Sequence, residues 1–290
     1  MRILVTSDLH YNIPRSRAAV EDLAARVCTL GGDVLVLVGD TASADDGPFR
    51  DALRLFNSFR GLKYLVAGNH CLWCYNRGDS LHRYRTQLPL MAAEEGFVLL
   101  DHHPQALGSV GLAGSIGWYD YSFADAALGI PLPFYRAKIS PGAAALLDRR
   151  DLIEAHAADL QPRHMGIRVR WMDEQYVNLG MSDSEFTAMV SRTLQEQLKY
   201  LSASCNRIVV FMHHLPFLEL VPQGRPDRFA FAAAFLGSER FGQVLRKFPK
   251  ITHVFCGHSH WRQRVHIDHM DLLAIGSTYR EKHLDVLELP

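Results

Sequence analysis

Cysteine is sparse in this chain. Five in 290 residues (Cys28, Cys71, Cys74, Cys205 and Cys256) are too few and too irregularly spaced for a disulfide framework, and an odd count fits a reducing compartment. Cys71-Leu-Trp-Cys74 is a single CxxC without the second pair that a zinc knuckle needs, so packing cysteines are the default. Excess charge is missing too: 31 Lys plus Arg balance 31 Asp plus Glu, which leaves no net field to attract nucleic acid or an anionic membrane. Any recognition of phosphate must therefore be local. No apolar run approaches the roughly 18 residues of a membrane span, and "MRILVTSD" meets an acidic residue too early for a signal peptide. The expectation is a soluble, cytoplasmic protein without a membrane partner. There is no internal repeat, no low-complexity tract and no clean linker.

What is present is an alternation of apolar runs and helical patterns. Ile3 to Val5 is a short β-type run, and Ser16 to Leu30 carries Val20, Leu23, Ala24, Val27 and Leu30 at helical spacing up to Gly31-Gly32. Val34 to Val38 reads as a strand, Pro48 to Phe59 as a helix and Lys63 to Ala67 as a third strand. This order calls for parallel strands with right-handed crossovers, and "VLVLV" suits a strand covered on both faces. The fold class is α/β. Further strands are expected at Phe97 to Leu100, Val110 to Ala113, Arg207 to Met212, His253 to Cys256, Leu272 to Ile275 and Leu284 to Leu289. Between about 119 and 203 the strand signal fades into an Ala/Leu-rich helix from Ala143 to Leu160 and a helix after Ser182, where Ser182 and Glu185 form a capping-box pattern. One domain spanning 1–290, with a mostly helical insertion at about 119–203, is the expected organisation.

The strands become informative at their downstream ends. The first runs into Ser7-Asp8-Leu9-His10, the second into Gly39-Asp40 and the third into Gly68-Asn69-His70. The strand at 207–212 ends in His213-His214 and the one at 253–256 in Gly257-His258-Ser259-His260. In an open α/β sheet, ligands bind beyond the carboxyl ends of the strands, so residues far apart in sequence can converge there. In an extended segment, residues two apart point the same way, which would let Asp8 with His10, and His258 with His260, each offer a pair of ligands. With His70 and one of His213 and His214 set aside, two carboxylates, one amide oxygen and four imidazoles remain, too many for one tetrahedral ion. They suit two ions sharing a carboxylate, drawn from Mn, Fe, Zn, Co or Ni rather than Ca.

The series "DLH", "GD", "GNH", "MHH" and "GHSH", in that order, resembles the calcineurin-like metallophosphoesterases, whose signature is D-x-H, G-D, G-N-H, a lone H and G-H-x-H. The resemblance implies a pair of β-sheets flanked by helices, a four-layer α/β/β/α arrangement. It implies one ion held by Asp8, His10 and His260, a second held by Asn69, His213 and His258, and Asp40 bridging both. His213 is preferred to His214 because the family's ligand follows its strand directly. His70 would be a non-ligand histidine that binds the scissile phosphate and protonates the leaving oxygen. The expected cofactors are two transition-metal ions, Mn, Fe or Zn. Such a pair neutralises phosphate and lowers the pKa of a bridging water, giving hydroxide at neutral pH.

The expected activity is thus hydrolysis of a phosphomonoester or phosphodiester on a small molecule or a peptide. A nuclease is disfavoured by the zero net charge, and a non-catalytic metal-binding scaffold on the same fold is the alternative. Two positions depart from the family. Where some members carry an acid that orients the G-N-H histidine, this chain has Ser43 and Cys71, while Asp45 and Asp46 read as loop charges or a helix cap. His102-His103 reads as a surface turn, and Arg262 and Arg264 as an exposed strand face ahead of a phosphate contact. Trp118-Tyr119-Asp120-Tyr121 reads first as an anchor for the insertion, and "FAFAAAF" at 229–235 as buried packing or a partner surface.

Overall fold

A computed structural model describes residues 1–224 and 226–290, the side chain of Arg77 excepted. Its strands form two mixed sheets. In the first, β1 (Arg2–Thr6), β2 (Val34–Val38), β3 (Leu62–Val66) and β4 (Val98–Leu99) run parallel, and β11 (Asp285–Glu288) adds antiparallel to β1. In the second, β6 (Val110–Ser115), β7 (Arg207–Met212), β8 (Ile251–Cys256) and β10 (Met270–Ala274) run parallel, edged by antiparallel β5 (Gln105–Leu107) and β9 (Gln263–Ile267).

The period of two explains how the layers stack. Ile3 and Val5 of β1, Val34, Val36 and Val38 of β2, and Val209 and Phe211 of β7 share one buried cluster between the sheets. Leu4, Leu35 and Leu37 face the other way and share a cluster with Val20, Leu23 and Val27 of the helix Pro14–Leu30. Each such side chain, removed from water, contributes roughly 1.5–3 kcal/mol. On the far side the 22-residue helix Asp183–Ser204 opens with the expected reciprocal Ser182/Glu185 capping box. It lies so close to β6 that a Cβ on Gly111 would sit 3.2 Å from Leu201. The result is the four-layer α/β/β/α arrangement.

Two expectations need correcting. The helix from Ala143 to Leu160 is two pieces, Pro141–Leu146 and Arg150–Glu154, with Asp148 at φ 54° between them. Leu146 and Leu147 are exposed, so no buried stripe carries the helix across the gap. The strand expected over Phe97 to Leu100 is only Val98–Leu99: the Leu100 amide still donates to the Leu65 carbonyl (2.8 Å), but Asp101 turns to bridge the sheets, accepting from the Ala67 and Ile116 amides and the Tyr84 hydroxyl.

Candidate metal centre

β1, β2, β3, β7 and β8 deliver their downstream residues to one end of the two-sheet stack. The loops beyond β1 and β2 are tied by backbone bonds from the Asp8 amide to the Gly39 carbonyl (3.1 Å) and from the His10 amide to the Asp40 carbonyl (2.8 Å). The extended pairing expected at Asp8/His10 and His258/His260 is absent, since all four residues have positive φ (54°, 46°, 67° and 53°), as does Asp40 at 50°. Their side chains converge because the backbone is left-handed at alternate residues, a conformation that Asp and His tolerate better than most types. Glycine provides the remaining room. A Cβ on Gly39 would lie 2.0 Å from His213 Nδ1, and one on Gly68 would lie 2.2 Å from Asp40 Oδ1.

Around Asp8, Nε2 of His10 and Nε2 of His260 stand 3.4 Å apart, with Asp8 Oδ1 at 4.0 and 3.7 Å from them. Burial depresses both imidazoles below their ordinary value, so two neutral nitrogens and a carboxylate face one another. Around Asn69, the His213 Nδ1–H donates to the Val38 carbonyl (3.1 Å), which leaves Nε2 facing Asn69 Oδ1 at 3.3 Å and Asp40 Oδ2 at 3.4 Å. The Asn69 amide nitrogen donates to Asp173 (2.9 Å), which fixes its oxygen inward. His258 completes this half; its Nε2–H donates to the Phe235 carbonyl (3.2 Å), leaving Nδ1 as the free lone pair.

Asp40 lies between the halves, its Oδ2 at 3.6 Å from His10, 3.4 Å from His213 and 3.9 Å from His70. Burial works against its charge, yet His213, His70 and His10 hold its carboxyl well below the usual carboxylate range. Burial likewise opposes a proton on His213, yet Asp40 pushes it up to about 9. With its Nδ1–H given to Val38, a neutral His213 would turn an acceptor Nε2 on the acceptor oxygens of Asn69 and Asp40, so a positive charge belongs among them, and a proton and a metal cation compete for that place. The donor set fits two mixed N/O-ligated ions. Asp8, His10 and His260, and separately Asp40, His213 and His258, each bring ligand atoms within 4.8 Å of one another, as do His10, Asp40 and His70.

All eight residues singled out in the sequence thus gather at one place. His214 gathers there differently: its Nδ1–H donates to the Ile116 carbonyl (2.8 Å) and burial lowers it to about 3, a neutral wall against His258. His70 stacks on Trp73 with ring centroids 3.9 Å apart, and its backbone N–H donates to Asp40 Oδ1 (3.0 Å). Asp46 pairs with Arg83, and Ser43 Oγ accepts from Asn12, so none of these orients His70. Arg262 is engaged by Asp285 and the Ile275 carbonyl, not held towards the centre. Trp118 and Tyr119 are fully buried anchors, as are Phe231 and Phe235 of the "FAFAAAF" stretch. Among the described residues, no cysteine joins a metal-ligating group and no disulfide forms.

Sequence reasoning missed three contributors. Asp173 is buried and takes four donors. Lys282 Nζ donates to the Asp8 and Thr278 carbonyls, and burial lowers it to about 8. Tyr279 packs 4.9 and 5.1 Å from the rings of His10 and His260, with the Arg15 guanidinium over its face. None lies in a short motif; a lone Asp in "RWMDEQ" or Lys in "REKH" carries no signal without the fold.

Residues 1–126 match the family model for calcineurin-like phosphoesterases. Among solved structures the chain resembles a phosphopantetheinyl hydrolase from Mycobacterium tuberculosis at 18% identity and a TM-score of 0.66, covering 96% of this chain and 89% of that one. It also resembles a dimetal phosphatase from Danio rerio (13% identity, TM-score 0.53, 99% and 91% covered). A third likeness is to a protein of Thermus thermophilus (11%, 0.51, 98% and 97%). No curated protein matches the chain in sequence. Among the described residues, no helix is long and apolar enough to cross a membrane.

Proposed function

We propose that this chain, whose residues 1–126 match the calcineurin-like phosphoesterase family and whose two-sheet fold resembles that of solved phosphoesterases, is a dinuclear metal-dependent phosphoesterase acting on a small-molecule or peptide-borne phosphate. The observation that carries this reading is the convergence of His10, His260 and Asp8 on one side, and of His213, Asn69 and Asp40 on the other, each a set of nitrogen and oxygen ligand atoms within about 4 Å of one another. Asp8, His10 and His260 would hold one ion, Asn69, His213 and His258 the other, with Asp40 shared. When bound, such a pair supplies neutralisation of the phosphate and a water acidic enough to react at neutral pH.

The chain's own residues do the rest. Asp40 is immobilised by the His70 amide, so the two halves keep a fixed spacing. His70 faces the shared carboxylate from the partly open side, its side chain 18% exposed, where an ester's leaving group would lie. As a water that has given one proton to solvent bonds through its oxygen to phosphorus, the opposite P–O ester bond would break with its electron pair on the ester oxygen, and His70 would give its proton to that departing oxygen. General acid assistance of this kind is worth roughly 10²- to 10⁴-fold. Zero net charge favours a compact phosphate over a polynucleotide.

The test pairs elemental metal analysis with a substrate panel: p-nitrophenyl phosphate, its bis ester, cyclic nucleotides, phosphopeptides, a phosphopantetheinyl ester and single-stranded DNA. Two equivalents of Mn, Fe or Zn with turnover of a small ester are expected. Two bound equivalents with no turnover would instead favour a scaffold.

A further inference from the structure

No carboxylate stands at positions 43 and 71, from which His70 could be steered: they hold Ser43 and Cys71. Ser43 Oγ is occupied by Asn12, and burial pushes the Cys71 thiol up to about 11. Among the described residues, the buried Nδ1 of His70 has no hydrogen-bond partner. What holds the ring is a face: Trp73 lies parallel to it at 21° and 3.9 Å, and is backed in turn by Tyr176 at 26° and 4.7 Å. Trp73 is itself pinned, since its Nε1–H donates to Asp173 Oδ1 at 2.7 Å.

The same oxygen accepts the Asn69 amide at 2.9 Å, while Asp173 Oδ2 accepts the Tyr119 hydroxyl (2.9 Å) and Trp171 Nε1–H (2.8 Å). We propose that Asp173 is the positioning residue of this centre: one carboxylate turns the Asn69 oxygen inward and, through Trp73, sets the plane of His70, replacing an acidic partner on the histidine itself. The inference rests on the roles given above to Asn69 and His70. Chemistry favours a carboxylate at this position. Four donors converge, two of them indoles that can only donate, and a carboxylate offers about four lone-pair sites. An asparagine would keep one accepting oxygen and turn an NH₂ group against two of the donors. Asp173 is 1% exposed, so no water relieves such a mismatch.

The two arms of the proposal separate experimentally. Protein loaded with Mn²⁺ is compared as wild type, Asp173→Asn, Trp73→Leu and Trp73→Phe, by calorimetric metal titration and by kcat and KM. The substrates are the nitrophenyl and an alkyl ester of whichever phosphate the wild type accepts. In Asp173→Asn the second Mn²⁺ equivalent weakens about 10- to 100-fold and the first is retained. In Trp73→Leu both equivalents remain and KM holds. There kcat falls about 10²-fold on the alkyl ester, whose leaving oxygen needs a proton, and little on the nitrophenyl ester. Trp73→Phe, which keeps a ring under His70, recovers part of that loss. Unchanged Mn²⁺ affinity in folded Asp173→Asn, or equal loss on both esters in Trp73→Leu, overturns the proposal. If Asp173→Asn does not fold, the ester comparison in Trp73→Leu decides. If the wild type hydrolyses neither ester, the hydrolase reading fails while the Mn²⁺ titration still judges Asp173.

Discussion

Replacing Gly39 with Ala adds one methyl group beside the His213 ring. Gly39 has φ +81°, and the added Cβ would stand 2.0 Å from His213 Nδ1, 2.4 Å from Cγ and 2.8 Å from Cβ. The backbone share of the cost can be isolated with Gly129→Ala, where φ is +66° and nothing lies within 4 Å. A left-handed alanine costs about 1–2 kcal/mol, offset by about 0.4–1 kcal/mol from a less flexible unfolded chain, so Gly129→Ala should lose roughly 1 kcal/mol. Gly39→Ala carries the same burden plus overpacking of about 1–3 kcal/mol, for a total near 2–4 kcal/mol. At about 2 °C per kcal/mol for a chain of this size, its Tm should fall roughly 2–6 °C further than that of Gly129→Ala. The ring cannot yield without losing the Nδ1–H bond to Val38 and turning Nε2 from Asp40 and Asn69. Calorimetric Mn²⁺ titration of both variants should therefore show a weakened second equivalent in Gly39→Ala alone. If Gly39→Ala binds two equivalents like the wild type, or melts with Gly129→Ala, the crowded seat assigned to His213 is wrong.

Asp40→Ala should release both metal equivalents together and abolish turnover, as measured by elemental analysis and the ester assay; loss of only one equivalent would contradict a shared carboxylate. Asp101→Asn should lower stability in urea by about 1–3 kcal/mol without altering metal content, because both of its oxygens accept from buried donors. Ser182→Ala should cost about 1 kcal/mol by removing the cap of the helix Asp183–Ser204. His266 should titrate above its ordinary 6.5, because a hydrogen bond to Asp271 favours its proton. Its small, exposed contribution to stability is present in full below pH 6.5 and is lost as pH rises through the folded value. Proton NMR on wild type and Asp271→Asn checks the direction.

The frame of the molecule was legible where one period governed the residues. β2 and β7 fall where the apolar runs put them, and the Ser182 cap marks its helix. The eight residues that gather beyond the strand ends stood out because motifs of two to four residues carry them. Their geometry was not, since an extended segment and an alternation of left-handed residues give the same spacing. β9 showed only as an exposed face at Arg262 and Arg264, because Gln263 to Ile267 alternates half-buried and exposed side chains and buries Ile267 alone. Asp173 was invisible because its four donors come from Asn69, Trp73, Tyr119 and Trp171, contacts that exist only after the chain has closed on itself.

Five side chains offered to the two halves grow from a backbone that curls in the sense L-residues resist. The tolerated vocabulary at those places is short: histidine, aspartate, asparagine and glycine sit there at little cost, while valine or isoleucine would strain the chain as well as silence it. A descendant that gave up chemistry but kept the shape would therefore drift first towards asparagine and glycine at positions 8, 10, 40, 258 and 260. Those replacements, rather than apolar ones, are the mark by which a retired copy of this protein could be told from an unfolded one.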